Sequence, residues 1–182
     1  RTWGYWVSSR QDEQAIDLEH YNAIGTLRQA LSQHANEAFD LFWANPSSGI
    51  PAVGGTGASF TFNDIDFFLL DNRSFRTHPE IQGERQIWGK AQCDWLIEAL
   101  KFSDASFKIV ASGGQFLSDA PLYENHVRWQ EERDYVIKRL SDEGIKNVIF
   151  LTGDRHHSEL SALKLASGHM VYDLTASPLT ST

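Results

Sequence analysis

The stretch Val148-Ile149-Phe150-Leu151-Thr152-Gly153-Asp154-Arg155-His156-His157 runs from five apolar or β-branched residues straight into a glycine, a carboxylate and two imidazoles. A short run of this kind, closed by a glycine, predicts a buried strand rather than a helix. The glycine permits a sharp exit and the close approach of a ligand. Asp154 and His156 are two positions apart, so an extended chain would turn both to one side. Their oxygen and nitrogen donors suit Zn, Mn or Fe. The same pair also reads as an ion pair or a loop cap at a strand end. Two ligands do not close a site, since zinc-type sites take at least three from the protein.

Working outward, residues 125–143 predict a helix that turns Trp129, Val136, Ile137 and Leu140 inward. Gly144 is placed to stop it in a left-handed conformation. Phe107 to Ser112 predicts another strand, ending at Gly113-Gly114-Gln115. Residues 90–101 predict a helix with Trp95, Leu96, Ala99 and Leu100 as its buried stripe. Residues 64–71 predict a strand whose run Ile65-Asp66-Phe67-Phe68-Leu69-Leu70 is nearly continuous in apolar character, a sign of cover on both faces. Met170 to Leu174 predicts a fourth strand. Residues 12–43 read as helical, with Gly25 and Ser32-Gln33-His34 as candidate breaks. Strands alternating with helices define an α/β layered fold, in which ligands bind at the carboxyl ends of strands. Three such ends are polar: Asp71-Asn72-Arg73, Ser112-Gly113-Gly114-Gln115 and Gly153 to His157. The fold class predicts that they converge on one edge.

Arg73 is the candidate phosphate contact, because a guanidinium offers forked donors. Its alternative role is to brace the strand end together with Asp71. Gly54-Gly55-Thr56-Gly57 lacks the Lys-Ser/Thr ending of a P-loop and reads as a flexible loop. His20, His34, His78, His126 and His169 read as surface or structural histidines. The one cysteine, Cys93, reads as a small buried apolar residue. No Gly-x-Ser-x-Gly elbow is present, which argues against a serine hydrolase.

The 182 residues carry 41% hydrophobic and 22% charged side chains, the proportions of a globular domain with a real core. A net charge of −8 argues against a nucleic-acid partner, which needs a basic face. It leaves room for a small phosphate ester, since bound metal supplies positive charge locally. No apolar run is long enough to span a bilayer.

In chain order, several segments resemble the PhoD-like alkaline phosphatase/phosphodiesterase family of metallophosphoesterases. They are Phe39 to Gly49, Asp66 to Arg76 with its Asp-x-Arg-x-aromatic-Arg, Trp88-Gly89 with Gln92 and Trp95-Leu96, and Phe107 to Gln115 with its Ser-Gly-x-Gln. They continue with Trp129, Glu132 and Arg133, then Gly153-Asp154-Arg155-His156, then Leu174 to Ser181. The resemblance covers residues 39–182. It implies an αββα sandwich and hydrolysis of phosphate mono- or diesters at a centre of divalent or trivalent metal ions (Ca, Fe, Zn or Mn). It implies Asp154 and His156 as metal ligands, His157 as a catalytic residue and Arg73 as a contact to the substrate phosphate. It also implies a periplasmic or secreted location.

The family's Gly-Asp-x-x-Tyr and Asp-Asp-His-Asp segments are not found in this chain. The expectation is therefore a single partial domain over 1–182, a sandwich incomplete at its N-terminus, with activity belonging to the complete protein. The alternative is a degenerate relative serving as a structural or binding module. Half of a sandwich exposes an apolar sheet face, which predicts self-association.

Overall fold

The predicted strands assemble into one mixed sheet in the computed structural model, which describes residues 18–43, 49–79 and 83–177. Residues 1–45 and 46–182 form two separate units. In the first, helix α1 (Leu18–Phe42) runs unbroken through Gly25 and Ser32-Gln33-His34, where breaks were expected. One interior glycine costs only about 1 kcal/mol against alanine, and Gln33 and His34 both bond Glu37 one turn on, which supports the helix across the polar stretch. The predicted start of this helix, residues 12–17, lies outside the described residues.

The second unit holds strands β1 (Ala58–Phe62), β2 (Ile65–Leu69), β3 (Phe107–Ala111), β4 (Val148–Thr152), β5 (Ser158–Lys164) and β6 (Met170–Ala176). Their order is β1-β2-β3-β4-β6-β5. The four inner strands run parallel, and the edge strands β1 and β5 are antiparallel to their neighbours. Helix α2 (Lys90–Phe102) links β2 to β3, and a 3-10 turn (His126–Trp129) with helix α3 (Gln130–Asp142) links β3 to β4. The sequence reading assigns neither β1 nor β5. Both are edge strands whose exposure alternates or is mixed, so neither carries the continuous apolar run that marks an inner strand.

Gly144 ends α3 as predicted. Its φ is 63°, and the N–H groups of Gly144 and Ile145 reach back to the carbonyls of Ser141 and Leu140. This is the double bond pattern that satisfies the orphan carbonyls of a helix end.

Phe68, Val110, Phe150 and Val171 from the sheet pack with Cys93, Leu96, Ile97 and Leu100 of α2 and Val136 and Leu140 of α3 into one core. Trp88, Phe116 and Phe150 stack within it, with centroids 4.3–6.4 Å apart. Cys93 is buried there, and burial pushes its thiol up, away from nucleophilic use.

The opposite face of the same strands is apolar and open. Phe60, Phe67, Ile109, Ile149 and Tyr172 lie in one cross-strand row, and Leu69, Ala111, Leu151, Leu174 and Leu160 in the next. Leu151, Leu160, Tyr172 and Leu174 are exposed. The expectation that β2 is covered on both faces is corrected: only Phe68, on the helix side, is buried. The chain is α/β as expected, and its described residues supply one helical layer and one sheet.

Candidate active site

The inner strands are parallel, so their carboxyl ends share an edge, and the three polar exits meet there. The Gly153 N–H donates to the Gly113 carbonyl at 3.2 Å. The Ser112 hydroxyl and the Trp88 indole N–H both donate to Asn72 Oδ1, each at 3.1 Å. The Arg155 N–H donates to Ser177 Oγ at 3.1 Å, which adds the exit of β6. The convergence expected from the fold class is present.

The turn out of β4 is not extended. Asp154 and His156 have φ values of 67° and 54°, the left-handed region that is uncommon for any residue but glycine, although Asn, Asp and His enter it more often than the rest. The extended chain assumed from the two-residue spacing is corrected by this. Gly153 does not supply the sharp turn either, since its φ is not positive, and a Cβ there would meet Gly113 O and Ser177 Oγ at an ordinary 3.6 Å. The strain falls on the two chemistry-bearing residues themselves, and strain of this kind concentrates at functional sites. Both are exposed, and among the described residues no hydrogen bond or ion pair reaches either side chain. Among the described residues no group of three or more His, Cys, Asp or Glu is placed to hold a metal ion.

His157 is held from both sides. Nδ1 lies 2.9 Å from the Arg155 carbonyl, and Nε2 lies 3.1 Å from Glu159 Oε2. Both partners are acceptors, so the two bonds form together only when each ring nitrogen carries a proton. Glu159 also accepts from Gln115 Nε2 at 2.8 Å, and these donors, Gln115 first and His157 next, hold its carboxyl below the usual range. Gln115 donates as well to Thr175 Oγ1 and accepts from Asn125 Nδ2. Beneath it, buried Asp173 takes the N–H groups of Phe116 and Leu117, both at 2.8 Å, and the Thr152 hydroxyl at 2.7 Å.

Arg73 stands on the same edge, but its guanidinium is already engaged. Nη1 lies 3.1 Å from Glu124 Oε1 and Nη2 lies 3.0 Å from Oε2. Arg76 Nη1 meets Glu124 Oε1 at 2.8 Å. Burial works to raise the Glu124 carboxyl, and the hydrogen bond and charge of Arg76, then Arg73, outweigh it and hold the group low. One residue earlier, the Tyr123 ring lies under Arg155, whose guanidinium carbon is 4.9 Å from the ring centroid. The bracing role suggested for Asp71 and Arg73 is visible in both, Arg73 through Glu124 and Asp71 through the loop around it. Asp71 accepts from the N–H of Arg73, from the N–H and hydroxyl of Ser74, and from the N–H and hydroxyl of Thr56. The Gly54 to Gly57 segment, expected to be a flexible loop, is pinned to that carboxylate. Gly55 is required there, because a Cβ would come within 2.7 Å of Asp71 Oδ2.

Sequence reasoning quoted Gln115 and Glu159 only as parts of longer motifs, and it missed Tyr123 and Glu124. Glu159 carries a local signal, an acid two residues after a histidine. Glu124 carries none, since its partners are about fifty residues away.

Fold and edge together define an α/β protein whose polar strand exits meet at the carboxyl end of a largely parallel sheet, the edge where such folds bind ligands. A family model described as PhoD-like phosphatase matches residues 56–182, and the chain belongs to that family. The match leaves out the segment Phe39 to Gly49 that was included in the resemblance. A solved structure described as "Structure of PhoD" superposes with a TM-score of 0.66 at 24% identity, covering 81% of this chain and 34% of that one. This chain therefore spans about a third of that protein's length. No curated protein matches the chain.

Proposed function

We propose that this chain contributes to metal-dependent hydrolysis of phosphate mono- or diesters, with Asp154 and His156 as two of the metal ligands. The observation that carries this reading is the presentation of an exposed, unpartnered carboxylate and imidazole on a strained turn, within the span matched by a phosphatase family. Their oxygen and nitrogen donors fit a first-row metal or calcium, and they supply half of a site rather than a whole one. A bound metal supplies Lewis acidity toward phosphoryl oxygens and an activated water.

The chain's own residues then have separate tasks. Asp154 and His156 hold the metal on the turn after β4. His157, held by Glu159 and the Arg155 carbonyl, stands next to the two ligands as the candidate catalytic residue. Arg73 offers its outer N–H donors to the phosphate. The substrate is a small phosphate ester, and no described helix is long and apolar enough to cross a membrane. The open sheet face supports self-association of this chain when nothing covers it, readable by sedimentation. A periplasmic or secreted location rests on the family resemblance.

The two-ligand count favours a second reading, a non-catalytic module of the same descent. One experiment separates them: elemental analysis of the purified chain, with hydrolysis of 4-nitrophenyl phosphate and bis(4-nitrophenyl) phosphate, alongside Asp154→Ala and His156→Ala. Metal and turnover that both substitutions abolish establish the enzyme. Absence of both in the parent chain makes it an incomplete or inactive piece of such a phosphatase.

A further inference from the structure

We infer that the loop tip Tyr123–Glu124 is an arginine clip, in which Glu124 is a positioning residue that fixes Arg73 as the contact to the phosphoryl oxygens. The inference rests on the phosphatase reading above. It begins from the fork: both Nη atoms of Arg73 meet both oxygens of Glu124, at 3.1 and 3.0 Å. Such a bidentate pair fixes the plane of the guanidinium as well as its place. It uses two of five N–H donors. The Arg73 side chain is 57% exposed, so its outer edge faces solvent.

Arg76 has a different task. Its side chain is only 9% exposed and lies over the Trp129 ring at 5.3 Å, and it grips Glu124 from the protein side. The outer N–H donors of Arg73 meet an anion without expelling Glu124, and expelling it breaks two charge-assisted bonds. The alternative, that Glu124 is a plug that the substrate displaces, predicts the opposite sign of effect on removal.

The tip is built to hold its shape although it is exposed. Tyr123 is 72% exposed and has a φ of 46°. Arg128 Nη1 donates to the Tyr123 carbonyl at 2.7 Å. Gly114 is required beneath it, since a Cβ there would come within 2.7 Å of the Glu124 carbonyl oxygen. Tyr123 in turn stacks on Arg155, the residue between Asp154 and His156. Two consecutive residues thus set two arginines, one from the β2 exit and one from the β4 exit, on the edge where phosphate is to bind.

The test is a double-mutant cycle in the metal-loaded protein, with Arg73→Ala, Glu124→Gln, Glu124→Ala and the Arg73→Ala/Glu124→Ala pair. The readouts are the dissociation constant of inorganic phosphate by calorimetry, kcat and KM for 4-nitrophenyl phosphate, metal content and Tm. Arg73→Ala is expected to weaken phosphate binding about tenfold, the loss of a hydrogen bond to a charged group. Glu124→Ala is expected to weaken it severalfold and to raise KM more than it lowers kcat. In the Arg73→Ala background it should add less than about twofold, because a positioning residue has nothing left to position. Metal content should stay unchanged, and Glu124→Gln should retain part of the affinity. Tighter phosphate binding in either Glu124 variant makes Glu124 a plug and overturns the clip. Fully additive losses also overturn it. If the parent protein hydrolyses ester while phosphate affinity ignores both positions, the clip fails and the phosphatase reading stands. If the parent neither binds phosphate nor turns over, both fail.

Discussion

Asp173 lies in the middle of β6 and Asp154 just past the end of the adjacent β4, and the fold treats them in opposite ways. Asp173 is buried and accepts two backbone N–H groups and a hydroxyl. Asp154 is exposed on a left-handed turn and is met by no described partner. Asp71 and Glu132 behave like Asp173. Glu132 accepts the N–H groups of Ile87, Trp88 and Gly89 and the ring of His126, inside the core that α2 and α3 build. Each of these three carboxylates organises a loop that would otherwise leave buried N–H groups unpaired. The carboxylate that organises nothing is the one free to bind something else.

That contrast can be broken most severely at Glu132. Glu132→Ala strips a buried imidazole and three backbone donors of their acceptor, and should cost roughly 3–5 kcal/mol in urea unfolding. A loss under about 1 kcal/mol would mean that the buried carboxylates are not what holds the loops. Asp173→Ala leaves two backbone N–H groups beneath the site unpaired, and roughly 2–4 kcal/mol is expected from the same measurement.

Acid sharpens the comparison without mutation. Asp71 and Glu132 are both buried, which works to raise their carboxyls, but their donors outweigh burial and hold them below the ordinary values of 3.8 and 4.5. Between the folded and ordinary values the unfolded chain binds more protons than the fold. Their contribution is thus whole above about pH 4.5 and is lost as the pH falls through the folded values. His126 is enclosed by Trp88 and Phe116, and burial pulls its pKa below 6.5, despite Glu132. Its neutral ring donates to Glu132. A shallower loss of stability should therefore begin as the pH falls below about 6.5, and His126→Gln should remove it. Tm followed from pH 8 to pH 3 reads both steps.

The smallest effect on stability is expected at Asp154. Asp154→Gly relieves a left-handed non-glycine residue and breaks no hydrogen bond, so Tm should hold or rise by the equivalent of about 1 kcal/mol. Metal retained by the parent, read by elemental analysis, should fall in the same variant. A Tm drop comparable to that of Asp173→Ala would erase the distinction between the two aspartates.

Much of this architecture was legible. The apolar run Val148 to Thr152, the α2 stripe around Leu96 and Leu100, and Gly144 as a helix stop all carry their signal within a few residues, because period and turn chemistry are local. Partnership was not legible. Arg73 read as open to phosphate, yet its fork closes on Glu124, fifty-one positions away. The edge strands β1 and β5 escaped for a related reason, since an edge strand is defined by the neighbour it pairs with.

By itself, the sequence determined the α/β alternation, the polar residues at the ends of three strands, and the order of motifs that marks the family, since these are properties of spacing and residue type. Only the tertiary structure decided which carboxylates are consumed and which are presented, and which arginine is held by which acid. Hydrogen bonds and ion pairs form between groups that folding brings within about 3 Å, and nothing in the spacing of Asp71, Asp154 and Asp173 distinguishes their roles before the sheet closes.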